Sequence, residues 1–158
     1  MPDQPEYNRL RSVAIFKDLD KNELEIVRKH VFEQSVKKDS VLFAEGMPGE
    51  LLYIIMSGCV EIIKKTKDNE QIVLATLGVN DIVGEMSLID SEPRSATVIT
   101  SEDSVLLVIK KQSFNEILQS DPRTAAKILM VLLKVFSRRL RMTDKKIEEI
   151  KKIVEKYA

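Results

Sequence analysis

Apolar residues recur with two different periods along the chain, and the change of period divides it into three parts. Residues 6–31 carry apolar side chains at helical spacing and predict two short helices, the second with Asp20 as N-cap and Glu23 three residues later. Residues 32–110 contain short runs rich in Val, Ile, Leu and Tyr, separated by turn residues about every ten positions. Residues 111–158 return to the helical period.

The short runs predict β-strands, and their number and spacing predict how the strands are arranged. We expect a single, mainly β (α+β) domain: an eight-stranded antiparallel β-roll or jelly roll with short N-terminal helices and a long C-terminal helix. Residues 67–70 form a polar hairpin turn between two of the runs. The predicted strands are Phe32–Val36, Val41–Phe43, Leu51–Ser57, Val60–Lys65, Gln71–Leu77, Ile82–Val83, Ala96–Thr100 and Val105–Ile109.

The last helix opens at Asp121-Pro122, and nothing in its sequence breaks it afterwards. One helix lying on its own domain explains part of its apolar pattern before Leu140. Beyond Ile147 we expect self-association, so the sequence predicts a homodimer through the C-terminal helix. One stripe of this helix, here called the seam, has members spaced alternately four and three residues apart, as in a coiled coil, and Thr143 is its polar member. The seam consists of Leu129, Leu133, Phe136, Leu140, Thr143, Ile147, Ile150, Val154 and Tyr157.

Charge and rare residues narrow the function classes. Lys+Arg and Asp+Glu are 25 each, and a neutral chain argues against general coating of nucleic acid. One Cys and one His leave no Cys-based zinc site and no histidine cluster, so we expect no metal, no catalytic residue and a solvated helical His30. The basic residues of the long helix are expected to form a solvated face: Lys134, Arg138, Arg139, Arg141, Lys145 and Lys146.

The chain shows no apolar stretch of membrane-spanning length and no signal-peptide pattern at its start. We therefore expect a cytoplasmic protein without a membrane partner. No DNA-reading module is visible after the long helix, so we expect no nucleic-acid partner through this chain.

The stretch 84–98 carries the most chemistry. A glycine-led turn into a short helix leaves backbone N–H groups for an anion, and the planar fork of Arg94 matches phosphate oxygens. Glu85 is an acceptor suited to ribose hydroxyls. One phosphate and one sugar hydroxyl describe a cyclic nucleotide, but a plain salt bridge between Glu85 and Arg94 would also explain these residues.

This stretch resembles the phosphate-binding cassette of the cyclic nucleotide-binding domain family. The similarity extends along nearly the whole chain: residues 45–49 and 52–58 match earlier signatures of the family, and residues 138–143 resemble the base-contacting helix of its bacterial members. The order of the predicted elements also fits. The resemblance implies one such domain over 1–158, with N-terminal helices at 6–31, the roll at 32–110 and C-terminal helices at 111–158.

The resemblance implies a role for each residue of the cassette. Arg94 would pair with the cyclic phosphate, and Ser95 would add its hydroxyl and N–H. Backbone N–H groups from Gly84 to Ser87 would assist. Glu85 would accept a hydrogen bond from the ribose 2′-OH.

The resemblance also implies contacts outside the cassette. Ile62 and Leu74 would line the apolar part of the pocket. Thr143 would meet the base, and Asp144 matches another base-facing position, reached from the partner subunit. The candidate ligand-binding residues are then Gly84, Glu85, Met86, Ser87, Arg94, Ser95, Ile62, Leu74, Thr143 and Asp144.

The chain departs from the family pattern at two turns. Asp39 and Asn80 stand where the family usually has glycine, and both residue types tolerate left-handed backbone. Val83 replaces a common phenylalanine, which affects packing rather than the ligand. Ser95 together with Thr143 resembles the bacterial cAMP receptors, so the resemblance favours cAMP over cGMP.

The function expected from this resemblance is ligand sensing without catalysis. The module would bind a cyclic nucleotide, require no other cofactor, and signal through its C-terminal helix. The alternative is a degenerate roll that acts as a dimerisation or protein-interaction module, with an empty pocket or another small effector. A metal-dependent jelly-roll enzyme would need a histidine cluster on the roll, which this chain lacks.

Overall fold

The computed structural model describes residues 4–157, apart from the side chains of residues 4–7 and of Ser87. In chain order the elements are α1 (Gln4–Arg11), a 3-10 turn (Ala14–Phe16), α2 (Lys21–Arg28), β1 (Val31–Val36), β2 (Val41–Phe43), β3 (Leu51–Ser57), β4 (Val60–Lys65), β5 (Gln71–Leu77), β6 (Ile82–Val83), α3 (Met86–Ile89), β7 (Thr97–Thr100), β8 (Ser104–Lys110), α4 (Lys111–Ser120) and α5 (Pro122–Tyr157).

The strands form two four-stranded antiparallel sheets, with the orders β1-β8-β3-β6 and β2-β7-β4-β5. This confirms the predicted eight-stranded antiparallel roll with short N-terminal helices and a long C-terminal helix. The strand bounds differ from the predicted ones by single residues. Val31, assigned to the helical segment by its spacing, instead opens β1 and pairs with Ile109.

Apolar side chains pack on both faces of the first sheet. Along β3, Leu52 and Ile54 enter the core under the helices, whereas Tyr53 and Ile55 enter the core between the sheets. A strand buried on both faces has no polar alternation, because successive side chains point to opposite faces. This explains the continuous apolar run 51–56 in the sequence.

The predicted cap of α2 is present and has an additional role. Asp20 Oδ1 accepts from the Glu23 N–H at 3.0 Å, and Glu23 Oε2 accepts from the Asp20 N–H at 2.8 Å. The same Glu23 carboxylate accepts from Lys127 Nζ of α5 at 2.6 Å. The cap therefore also ties the N-terminal helices to the base of α5.

His30 does not match its prediction. It follows α2 instead of lying within it, and it is partly buried. Its Nδ1 lies 3.3 Å from a Glu116 carboxylate oxygen of α4.

The first part of α5 is packed and the remainder is open to solvent. Ala125, Ile128 and Leu132 are fully buried in the core under the helices, whereas every residue from Leu140 to Tyr157 is exposed. Within residues 4–157, no helix combines the length and apolar character needed to cross a bilayer.

Candidate functional site

Gly84 forms the turn between β6 and α3. Its φ of +80° lies in the left-handed region that favours glycine. A Cβ at this position would lie 2.7 Å from the Leu51 carbonyl oxygen and 2.7 Å from Arg94 Nη1. Glycine therefore lets the backbone approach the Arg94 side chain closely.

Arg94 precedes β7 and points into the protein, with only 7% of its surface exposed. Its Nη1 donates to the Gly84 carbonyl at 3.2 Å, and its Nη2 donates to the Leu51 carbonyl at 2.8 Å. The guanidinium carbon lies 3.9 Å from the centre of the Phe43 ring. Burial lowers the pKa of Arg94 from its ordinary value, but an arginine remains a cation in proteins. The result is a buried, preorganised cation suited to an anion.

Glu85 is also buried, with 6% of its surface exposed. Its carboxylate pairs with the guanidinium of Arg139 on α5, and Arg139 also donates to the Ile82 carbonyl. The structure thus pairs Glu85 with Arg139, and among the described side chains no ion pair joins Glu85 directly to Arg94, although the charge of Glu85 acts to raise the pKa of Arg94. Arg139 was predicted to lie on a solvated face; this is wrong, because the helix carries its side chain into the site.

One cavity of about 230 Å³ brings most of the predicted residues together. Its walls come from the turn after β6, the segment before β7, strand β4 and helix α5. The side chain of Ser87 lies outside the described part of the chain. The predicted residues that line this cavity are Gly84, Glu85, Met86, Arg94, Ser95 and Ile62.

The remaining predicted residues lie beside this cavity. Leu74 and Thr143 line a neighbouring, more open cavity of about 580 Å³ between β5 and α5, which shares Ile62 and Arg139 with the first. Thr143 Oγ1 donates to the Arg139 carbonyl at 3.0 Å within the helix. Asp144 is exposed and lines neither cavity.

Two of the lining residues outside the predicted set contact the charged groups of the site. Phe43, at the end of β2, covers one face of the Arg94 guanidinium. Arg139 lies in the segment 138–143 that resembles the base-contacting helix, but its side chain was expected on the solvated face and was not predicted as a site residue. A signal for Arg139 did exist, because it lies four positions before Thr143 and so shares a helix face with it; no local signal marks Phe43.

The cyclic nucleotide-binding domain model matches residues 33–121 of the chain. A CRP-like cAMP-activated global transcriptional regulator from Mycobacterium tuberculosis is 27% identical over 141 residues, which are 89% of this chain and 61% of the relative. An anaerobic regulatory protein from Bacillus subtilis is 37% identical over 122 residues, 75% of this chain and 48% of that protein. The chain therefore spans roughly half to three fifths of these curated relatives.

Among solved structures, a cyclic nucleotide-binding domain from Methylobacillus flagellatus superposes with a TM-score of 0.82 at 26% identity, covering 90% of this chain and 83% of the other. The part of the chain that matches the family model is more than half of its length. It includes the cassette and all of both β-sheets except the first two residues of β1. The chain belongs to the cyclic nucleotide-binding domain family.

Proposed function

We propose that this protein is a regulatory module that binds cAMP in the cavity beside α3 and signals occupancy through α5. The observation that carries the proposal is the pair of buried charged groups, Arg94 and Glu85, on the walls of one cavity. A ligand that carries both an anion and hydroxyl groups would offer a hydrogen-bonding partner to each of these two groups. The regulatory relatives support sensing instead of catalysis.

In the proposed complex, the cyclic phosphate meets Arg94 and Ser95, helped by N–H groups of the turn that begins at Gly84. The ribose 2′-OH donates to Glu85. Ile62 supplies apolar contact. The base extends beyond Arg139 into the neighbouring cavity, where it contacts Leu74 and Thr143.

Signalling through α5 is supported by the contact between Arg139 and Glu85. A ribose hydroxyl that bonds Glu85 competes with Arg139 for the same carboxylate. Binding therefore changes the energy of the helix position in which Arg139 reaches the cavity. A ligand shifts such an equilibrium only by its different affinity for the two helix positions.

We also propose a homodimer through α5. The seam side chains from Leu140 onwards are exposed in the single chain, including Ile147, Ile150 and Val154. A two-fold pairing of two such helices buries the same stripe on both subunits. Asp144, exposed on the same helix, would then be available to the partner's pocket.

The choice of cAMP is supported by Ser95 and Thr143 and by the cAMP-activated regulator among the relatives. A second candidate is a degenerate roll that acts only as an interaction module. One observation favours it: the guanidinium of Arg139 pairs with the carboxylate of Glu85, so this carboxylate already has a partner within the chain.

Calorimetric titration of ligand-stripped protein with cAMP, cGMP and 5′-AMP tests the proposal. We expect one cAMP per chain, weaker binding of cGMP, and the weakest binding of the non-cyclic nucleotide. If only cGMP produced heat of binding, the proposed ligand would be cGMP instead of cAMP. If neither cyclic nucleotide produced heat, the interaction module would be favoured.

A further inference from the structure

We infer that Lys64 and Lys111 are positioning residues that hold the segment Asp90–Ser95 in its binding geometry. The inference rests on the proposed function, because this segment carries Arg94 and Ser95. The segment belongs to no helix or strand, yet it forms one rim of the cavity. Contacts with residues outside the segment must therefore supply part of its rigidity.

Lys111 holds the beginning of the segment. It is the first residue of α4, and its Nζ donates to the Asp90 carbonyl at 2.7 Å and to Ser91 Oγ at 3.3 Å. Asp90 is the residue that directly follows α3. The contact therefore links the end of the cassette helix to the start of α4.

Lys64 holds the end of the segment. It lies in β4, and its Nζ donates to the Ser95 carbonyl at 3.2 Å. The same Nζ lies 3.2 Å from a Glu45 carboxylate oxygen. Glu45 is itself held, because its N–H donates to Thr97 Oγ1 of β7 at 2.9 Å.

The middle of the segment is held by backbone hydrogen bonds to the loop between β2 and β3. The Arg94 N–H donates to the Met47 carbonyl, and the Gly46 N–H donates to the Arg94 carbonyl, both at 2.8 Å. Arg94 thus lies between two lysine contacts, one on each side along the chain. Holding a binding group in place before the ligand arrives reduces the entropy lost on binding.

The two lysines differ in charge compensation. Lys64 is paired with Glu45, whereas among the described side chains no carboxylate lies at ion-pair distance from Lys111 Nζ. Lys111 lines a second cavity that shares Phe43 and Arg94 with the proposed ligand cavity, so its expected effect on the ligand acts through the segment Asp90–Ser95.

The chain offers a matched control beside each lysine. Lys65 follows Lys64 and is exposed. Lys110 precedes Lys111 and is exposed, and its Nζ lies 5.8 Å from the centre of the Phe32 ring. Neither control lysine makes a hydrogen bond to the segment in the described structure.

The test compares Lys64→Met and Lys111→Met with Lys65→Met and Lys110→Met in the full chain. Losing one such hydrogen bond should weaken cAMP binding about three- to tenfold in the first two variants, and less than about twofold in the controls. Lys64→Arg and Lys111→Arg should restore most of the affinity, because they keep the charge and a donor.

Hydrogen exchange of the ligand-free variants separates positioning from general destabilisation. We expect faster exchange at the amides of residues 90–92, 94 and 95 and unchanged exchange in β3 and β8. Exchange that rises equally throughout the roll would overturn the inference, as would test variants that bind cAMP like the wild type. Wild-type protein that binds no cyclic nucleotide would instead overturn the proposed function, and the ligand role of both lysines with it.

Discussion

Arg94 is the residue on which the proposed ligand contact depends most. Removing one partner of a buried charged contact typically costs about 2–5 kcal/mol, so Arg94→Ala should weaken cAMP binding at least about thirtyfold. Arg94→Lys should restore only part of it, because a point charge cannot reproduce the planar fork. Calorimetry measures both variants.

The matched control for this substitution is Arg141→Ala, an exposed arginine on α5. The Arg141→Ala variant should bind cAMP like the wild type. Arg94→Ala also leaves the carbonyls of Leu51 and Gly84 without their donor, so its ligand-free melting temperature should fall. Undiminished cAMP affinity in Arg94→Ala would contradict the assigned phosphate contact.

Gly84 is constrained by both its backbone angle and its neighbours. Gly84→Ala should destabilise the protein by about 1–3 kcal/mol and weaken ligand binding, because a Cβ would push against the Leu51 carbonyl and Arg94. Gly78→Ala is the control, since nothing lies within 4 Å of a Cβ built there. Urea unfolding of both variants should show a lower midpoint for Gly84→Ala only.

Among the elements, α2 is secured by its cap, and the cap depends on pH. The hydrogen bond from the Glu23 N–H lowers the pKa of Asp20 below its ordinary value. A lowered carboxyl pKa adds stability above the unfolded-state pKa, and this stability is lost as the pH falls through the folded-state value. Asp20→Ala should therefore unfold at less urea than wild type near neutral pH, and the difference should shrink below about pH 4.

The outer part of α5 is the element proposed to form the dimer. Ile147 and Ile150 are 48% and 59% exposed in the single chain, so replacing both with Asp should place charges in the shared seam and give monomers. Sedimentation well above micromolar concentration measures this.

The control is the double variant Lys145→Asp with Lys152→Asp. These lysines follow the seam residues Thr143 and Ile150 by two positions each, so they lie on the opposite side of the helix from them. It should remain dimeric. A monomeric wild type, with ligand present, would remove the dimer from the proposed function.

For the whole molecule, the proposed ligand should appear as added stability. A ligand that binds only the folded state at a hundred times its Kd adds about 2.7 kcal/mol. Each kcal/mol moves the melting temperature of a domain this size by roughly 2–4 °C, so saturating cAMP should raise it by about 5–11 °C. Calorimetric melting of stripped protein measures the shift, and Arg94→Ala at the same cAMP concentration is the control.

Much of the fold was predictable because local sequence determines it. Turn residues and apolar runs located all eight strands, and Asp20 with Glu23 located the start of α2. Asp39 and Asn80 were expected to replace turn glycines, and both adopt left-handed backbone, with φ of 62° and 68°. Their short polar side chains tolerate this conformation at little cost.

The candidate site was predictable where its residues are close together in sequence. The stretch from Gly84 to Ser95 was identified because a turn, a short helix and an arginine follow one another, and most of it lines one cavity. The family resemblance added Ile62, which also lies there.

Contacts between segments far apart in the chain followed only from packing. Arg139 shares a helix face with Thr143, but its contact with Glu85 depends on how α5 crosses the roll. Lys64 and Lys111 look like ordinary surface lysines until β4 and α4 are placed against the cassette. Long flexible side chains carry little sequence signal about their partners, because their reach permits many and the folded backbone selects one.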